Sequence, residues 1–283
     1  MTAAGELVLV STPIGNLGDL SPRAVAALRE CDLLCCEDTR RTRQLLTHAG
    51  ITGKDLVSVH GHNENARIRS LLERLAAGDR VALVSDAGMP GVSDPGVRLV
   101  AAAARAGVRV TVVPGPNAAL SALVVSGLPT DRFCFEGFLP RRGSERRRRL
   151  EEIAAEQRTV VLHETAPRLV ATLQDLVALC GPGRRVAVVR ELTKAHEEVW
   201  RSSLADAVTE FTDREARGEI VLVLHGGPPP AGADDDDVRE AVRGRREEGA
   251  SLRDAAAAVA EELGVPKRRA YEIGLADQRN AGP

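Results

Sequence analysis

Short apolar runs alternate with longer amphipathic stretches through the first 126 residues. ELVLVS (6–11), DLLCCE (32–37), LVSVH (56–60), RVALVS (80–85) and VRVTVV (108–113) are apolar at successive positions. That is the pattern of strands covered on both faces. The intervening stretches predict helices over 21–31, 40–49, 64–77, 95–106 and 117–125, the first with Ser21 as N-cap and Pro22 in its first turn. Strict strand–helix alternation predicts a parallel sheet with helices on both sides.

SGLPTDR (126–132) breaks this series. A second block follows with strands RFCFE, TVVLHE, RVAVVRE, EEVWRSS and EIVLVLHG, and helices near 144–157, 167–179 and 203–213. No helix separates the two strands between 186 and 202, so this sheet is expected to be mixed. GGPPPAGADDDD (226–237) has the composition of a linker. The predicted fold is α/β: a parallel-sheet domain (1–126), a mixed-sheet domain (127–226), a linker (227–237) and a helical, helix-turn-helix-like tail (238–283).

In an open parallel sheet, ligands sit beyond the carboxyl ends of the strands. Three loops at such ends are rich in Gly and Pro: STPIGNLGD (11–19), VSDAGMPGVSDPG (84–96) and VPGPNAALSAL (113–123). None is a GxGxxG or GxxxxGK[ST] phosphate cradle. Glycine lets a flat group approach the backbone, and a helix start capped by Asn117 suits a carboxylate. The combination fits a zwitterionic nucleoside.

Composition narrows the partners. Aromatic residues are 2% of the chain and net charge is −2. This excludes a row of base-stacking aromatics and a global positive field. Cys31, Cys35, Cys36, Cys134 and Cys180 contain no CxxC and read as reduced thiols. MTAAGELVLVSTPIG lacks a basic segment, and no run approaches the about 18 apolar residues of a membrane span, so a cytoplasmic protein is expected. HGHNE (60–64) is discounted as a ligand set, and no metal is expected.

STPIGNLGDLSPRA, EDTRRTRQLL (37–46), HNE (62–64), SDAGMPGVSDPG, VPGPNAALSAL, FEGFLP (135–140), RELTK (190–194) and GE (218–219) occur in this order. Together they resemble the bacterial 16S rRNA (cytidine-2'-O)-methyltransferases of the tetrapyrrole methylase superfamily. The resemblance implies S-adenosylmethionine (SAM) in a cleft between the two domains, a homodimer, and the 2'-hydroxyl of decoding-region cytidine 1402 on the 30S subunit as substrate. It places Pro13, Gly15, Asp86, Ala87, Gly88, Ser93, Asp94, Pro114, Gly115 and Asn117 against the cofactor. Met89 departs from the family's usual Thr. Ala166-Pro167 replaces a polar pair, so the loop ETAPRL (164–169) is a poor place for a base.

A ribose hydroxyl is a weak nucleophile that gains from a general base. Asp38, Glu64, Asp86 and Lys194 are the candidates, with no choice among them. Arg40, Arg41 and Arg43 follow Asp38 directly; Arg141, Arg142, Arg146 and Arg147 belong to an Arg run after FEGFLP; Lys267, Arg268 and Arg269 cluster in the tail. All are candidate phosphate contacts. A tetrapyrrole methyltransferase and a non-enzymatic ribosome-assembly protein are the competing readings.

Overall fold

The structure, a computed structural model, describes residues 5–228 and 234–280. The chain divides into two compact units after Gly226.

The first sheet is built from β1 (Glu6–Val10), β2 (Leu33–Cys36), β3 (Leu56–Ser58), β4 (Arg80–Leu83) and β5 (Arg109–Val113). Its order is β3-β2-β4-β1-β5 and every pairing is parallel. The helices α1 (Pro22–Glu30), α2 (Thr39–His48), α3 (Glu64–Ala76), α4 (Val97–Arg105) and α5 (Ala118–Ser126) connect or follow the strands. Ser21 and Asn117 cap α1 and α5 as the sequence predicts, each accepting a first-turn N–H. One core packs Leu28, Leu34 and Leu46 on one side of the sheet, and another packs Leu7, Leu75 and Leu99 on the other. This is why its strands are apolar on successive residues.

The second sheet contains β6 (Phe133–Phe138), β7 (Thr159–Thr165), β8 (Arg185–Arg190), β9 (Glu198–Ser203) and β10 (Glu219–Leu224), ordered β6-β7-β10-β8-β9. β6 and β7 are parallel and the other pairs antiparallel, the mixed sheet expected. Its outer face is covered by α6 (Ser144–Ala155), α7 (Leu169–Cys180) and α8 (Leu204–Asp213). Its inner face is covered by α5. Ala119, Ala122 and Leu123 share a core with Val161, Val189, Val221 and Val223, joined by Ile14 from the first loop. A single apolar helix therefore welds the two sheets into one unit.

The second unit packs α9 (Asp235–Glu247), α10 (Leu252–Glu262) and α11 (Lys267–Asn280) around Val238, Val242, Val259 and Ala270. The Asp run read as the end of the linker is helical instead. Asp234 caps α9 in a capping box with Asp237, and carboxylates at a helix start are favoured by its dipole. The proline-rich part of the predicted linker (229–233) lies outside the described residues. Among the described residues, no helix is long and apolar enough to cross a membrane.

Candidate functional site

The carboxyl ends of β1, β4 and β5 lie side by side, and their loops are tied together. Thr12 and Gly88 exchange both backbone hydrogen bonds, at 2.9 and 3.1 Å, and Ser11 donates to the Val113 carbonyl at 3.1 Å. Between these loops and the inner face of the second sheet is a cavity of about 350 Å³. That lies in the range of small-molecule sites, roughly 300–1,000 Å³. The first domain contributes Ile14, the stretch 87–89, Val92, Ser93, Asp94 and the start of α5. The second contributes Phe138, His163, Glu164, Thr165 and residues 218–221 among others.

Of the ten proposed cofactor positions, Ala87, Gly88, Ser93, Asp94 and Asn117 line this cavity, whereas Pro13, Gly15, Asp86, Pro114 and Gly115 do not. Two of the glycines make room for the protein itself. A Cβ on Gly15 would stand 2.5 Å from Lys194 Cγ, and one on Gly115 would stand 2.9 Å from Ser11 Cβ. Gly15 thus admits the stem of Lys194 from the second domain, and Gly115 lets two loops of the first sheet touch.

The four proposed bases lie outside the cavity lining. Asp38 caps α2, accepting the Arg40 N–H at 2.7 Å; this bond, with the Arg40 side chain, holds its carboxyl below the ordinary range and weakens it as a base. Asp86 accepts the Asp38 N–H at 3.0 Å and lies 3.6 Å from Arg41, joining the β4 loop to α2. Glu64 is buried under the start of α4, where one oxygen accepts the N–H groups of Gly96, Arg98 and Leu99 at 2.9–3.2 Å. Lys194 donates to Glu191 at 2.9 Å and Glu219 at 3.0 Å. Burial opposes its charge, but these two carboxylates outweigh burial and hold the ammonium above the usual lysine range. A lysine so held is a cation, not a base. The tight turn carrying it has Glu191 and Thr193 at positive φ, a strained geometry secured by those ion pairs.

On the cavity's second-domain side, Phe138, Leu192, Gly218 and Glu219 belong to the motifs FEGFLP, RELTK and GE, but His163 and Thr165 carry no expectation from the sequence. His163 packs edge-on against Phe135 and Phe138, with ring centroids 5.0 and 5.3 Å apart. Burial lowers its pKa, so the ring is neutral at pH 7, and its buried Nε2 has no hydrogen-bond partner in the protein. Glu164 and Thr165, the start of the stretch ETAPRL expected to be a loop, are instead the last two residues of β7. Glu164 is fully engaged there by the Thr172 hydroxyl, the Thr165 N–H and Arg168.

These surroundings suit a zwitterionic nucleoside. Backbone at Gly88 and the start of α5 supply polar contacts along an apolar wall of Ile14, Val189, Leu192 and Val221. Met89 sits in this wall, and its sulfur accepts the Ser11 hydroxyl at 3.3 Å. Among the described residues no group of three or more His, Cys, Asp or Glu is placed to hold a metal ion.

Among the basic candidates, Arg141 and Arg142 are exposed and free of ion pairs among the described residues, directly beyond the cavity-rim residue Phe138. Arg40 and Arg43 are also exposed. Arg146 is a correction. Its side chain is 11% exposed and is spent on Asp175, Thr172 and the Pro140 carbonyl. Arg147 pairs with Glu151, Arg268 with Glu272, and Arg269 with Asp235, while Lys267 is exposed.

Two α/β sheets welded through one helix, with a nucleoside-sized cavity at the seam, define a two-domain methylase architecture. The chain belongs to the tetrapyrrole (corrin/porphyrin) methylase family, whose model matches residues 6–208. Within it, the chain is 45% identical over 273 residues to the ribosomal RNA small subunit methyltransferase I of Synechocystis, covering 96% of this chain and 98% of that one. It is 42% identical over 276 residues to the protein of that name from Escherichia coli O157:H7, covering 97% and 96%. The fold is similar to that of uroporphyrin-III C-methyltransferase from Thermus thermophilus, solved as a complex with S-adenyl homocysteine. That likeness has a TM-score of 0.54 at 23% identity, over 78% of this chain and 96% of that one.

Proposed function

We propose that the protein transfers a methyl group from SAM to the 2'-hydroxyl of a single cytidine in the decoding region of 16S rRNA, cytidine 1402, within the 30S subunit. The observation that carries this is the 42–45% identity, over nearly the whole chain, to proteins named for small-subunit rRNA methylation. SAM supplies an electrophilic methyl on a sulfonium when bound. The residues of this chain hold it: the start of α5 for its carboxylate and Gly88 for close backbone approach. Methyl transfer is an in-line displacement, so positioning supplies much of the rate.

The test is radiolabelled methyl transfer to unmethylated 30S subunits, followed by nuclease mapping. One 2'-O-methylcytidine in the decoding region is expected. No transfer, with SAM binding intact, would overturn the ribosomal assignment in favour of a tetrapyrrole acceptor.

RNA phosphate contact is assigned to Arg141, Arg142, Arg40 and Arg43, with Lys267 in the tail. Each phosphate neutralised contributes roughly 0.7–0.9 to the salt slope of binding. The double variant R141A/R142A is expected to lower the slope for 30S binding by about 1.5 without changing thermal stability. R146A is expected to do the reverse, because it breaks a half-buried ion pair and leaves Asp175 and Thr172 without their partner.

The homodimer is assigned to the outward side of α5. That helix is apolar all round: Ala119, Ala122 and Leu123 are buried inside, yet Leu120 and Val124 are 49% and 71% exposed. A helix without a polar face is covered on every side. Val124→Asp is expected to convert a dimer to a monomer in light scattering at micromolar concentration. An unchanged dimer would move the interface elsewhere.

A further inference from the structure

With the four proposed bases committed to caps and ion pairs, the ionisable groups that line the cavity are Asp94, His163, Glu164 and Glu219. Glu164 is sealed by three partners, and Glu219 neutralises Lys194. His163 is flanked by two phenylalanine rings, and its Nε2 is closed off from solvent. Asp94 differs from all of them. Among the described residues no cation pairs with it, and it stands on the cavity wall in the loop between β4 and α4.

The loop holds Asp94 in place. Ser93, immediately before it, is in the left-handed region at φ 62°, and Pro95 follows, its carbonyl accepting the Gly91 N–H at 3.1 Å. A Cβ on Gly137 would lie 3.0 Å from Ser93 Oγ, so the loop is packed against β6 where that strand's register shifts. Strain of this kind persists where surrounding structure enforces it.

We propose that Asp94 is the proton acceptor for the substrate hydroxyl. The inference rests on reading the cavity as a methyl-transfer site. In the step, the ribose oxygen bonds the methyl carbon, and the carbon–sulfur bond breaks with its electron pair going to sulfur. The hydroxyl proton passes to an Asp94 oxygen and then to water.

Electrostatics agree with the geometry. Burial raises the Asp94 pKa to about 6, the Ser85 hydroxyl opposes the shift, and the Glu37 and Asp86 charges add to it. Glu37 is itself raised by burial and by Asp86. Arg41 on Asp86, and His163 and Glu219 across the cavity, complete the charged and titratable surroundings. A base with this pKa is ionised at pH 7.5 yet basic enough to take a proton.

The experiment compares wild type, Asp94→Asn, Asp94→Glu and His163→Gln in single-turnover methyl transfer to unmethylated 30S subunits across pH 5–9. S-adenosylhomocysteine affinity is measured by calorimetry in parallel. Asp94→Asn is expected to lose roughly 10²–10⁴-fold in rate, the range for a lost general base. Because Asp94 also lines the cofactor cavity, the rates are compared at saturating SAM, so that lost affinity is separated from lost rate. The wild-type rate should rise through about pH 6 to a plateau, because the carboxylate must be ionised. That limb should vanish in Asp94→Asn and survive in His163→Gln, with Asp94→Glu intermediate. Asp94→Asn should melt no lower than wild type at pH 8, since it removes a charge that burial disfavours. The proposal is overturned if Asp94→Asn keeps the wild-type rate, if lost cofactor affinity accounts for the lost rate, or if His163→Gln abolishes the limb. A wild type that binds no S-adenosylhomocysteine would instead remove the methyl-transfer reading itself.

Discussion

Replacing Glu64 by alanine is expected to destabilise the first unit by about 3 kcal/mol, while Glu64→Gln costs about 1 kcal/mol or less. The side chain is 5% exposed and one of its oxygens receives the N–H groups of Gly96, Arg98 and Leu99. Removing it leaves three donors at a helix start with no protein partner, and the positive end of the α4 dipole without its anion. A glutamine oxygen still accepts at the same place but lacks the charge. For a unit of this size, about 3 kcal/mol corresponds to a loss of roughly 6–12 °C in melting temperature. Differential scanning calorimetry reads this directly. The two variants also separate a cap from a base. As a base, Glu64 would lose its activity on conversion to Gln at full stability; as a cap, Gln keeps most of the activity and Ala loses stability first. The loop anchored by this cap carries Ser93 and Asp94, so Glu64→Ala should also weaken cofactor binding.

Strand and helix positions were readable because burial on both faces imposes a continuous apolar run, and caps such as Ser21 and Asn117 are local. The mixed character of the second sheet was readable because no helix intervenes between β8 and β9. The purpose of each glycine was not. Gly15 faces Lys194, nearly 180 residues away, and only the packing of one domain on the other shows that its missing side chain is filled by a lysine stem. Charged residues were misjudged for the same reason. Arg146 sits in an Arg run that looks like a solvated face, yet Asp175 and Thr172 on α7 draw it inward. His163 carried one weak signal, a polar residue inside the apolar run TVVLHE. Its relevance depends on β7 lying inside a sheet, between β6 and β10, whose inner face borders the cavity. The resemblance places both Asp86 and Asp94 against the cofactor, and nothing local in the sequence distinguishes the two carboxylates. Their difference is that Asp86 finds the Asp38 N–H and Arg41, whereas Asp94 finds no cation among the described residues.

Gly88→Val is expected to weaken S-adenosylhomocysteine binding at least about 100-fold, equivalent to about 2.7 kcal/mol. Gly107→Val should leave binding unchanged. Both glycines have positive φ, 83° and 71°, where a β-branched residue is strained by about 2 kcal/mol. Both variants should therefore melt roughly 4–8 °C lower. Their surroundings differ. A Cβ at Gly107 meets nothing within 4 Å, in the turn between α4 and β5 at the amino end of the strand, opposite the cavity end. A Cβ at Gly88 meets Ile14 Cγ2 at 3.3 Å and the Pro116 carbonyl at 3.6 Å, and Gly88 is itself part of the cavity wall. Because Gly88 also exchanges both backbone hydrogen bonds with Thr12, displacing it moves all three glycine-rich loops at once. Matching the two variants for backbone strain isolates the steric effect at the cavity. Calorimetric titration of both, beside their melting curves, reads the two effects separately. Equal losses of affinity would mean that general destabilisation, not occupancy of the cavity, controls binding. A loss confined to Gly88→Val would place the ligand against the loop that also presents Asp94.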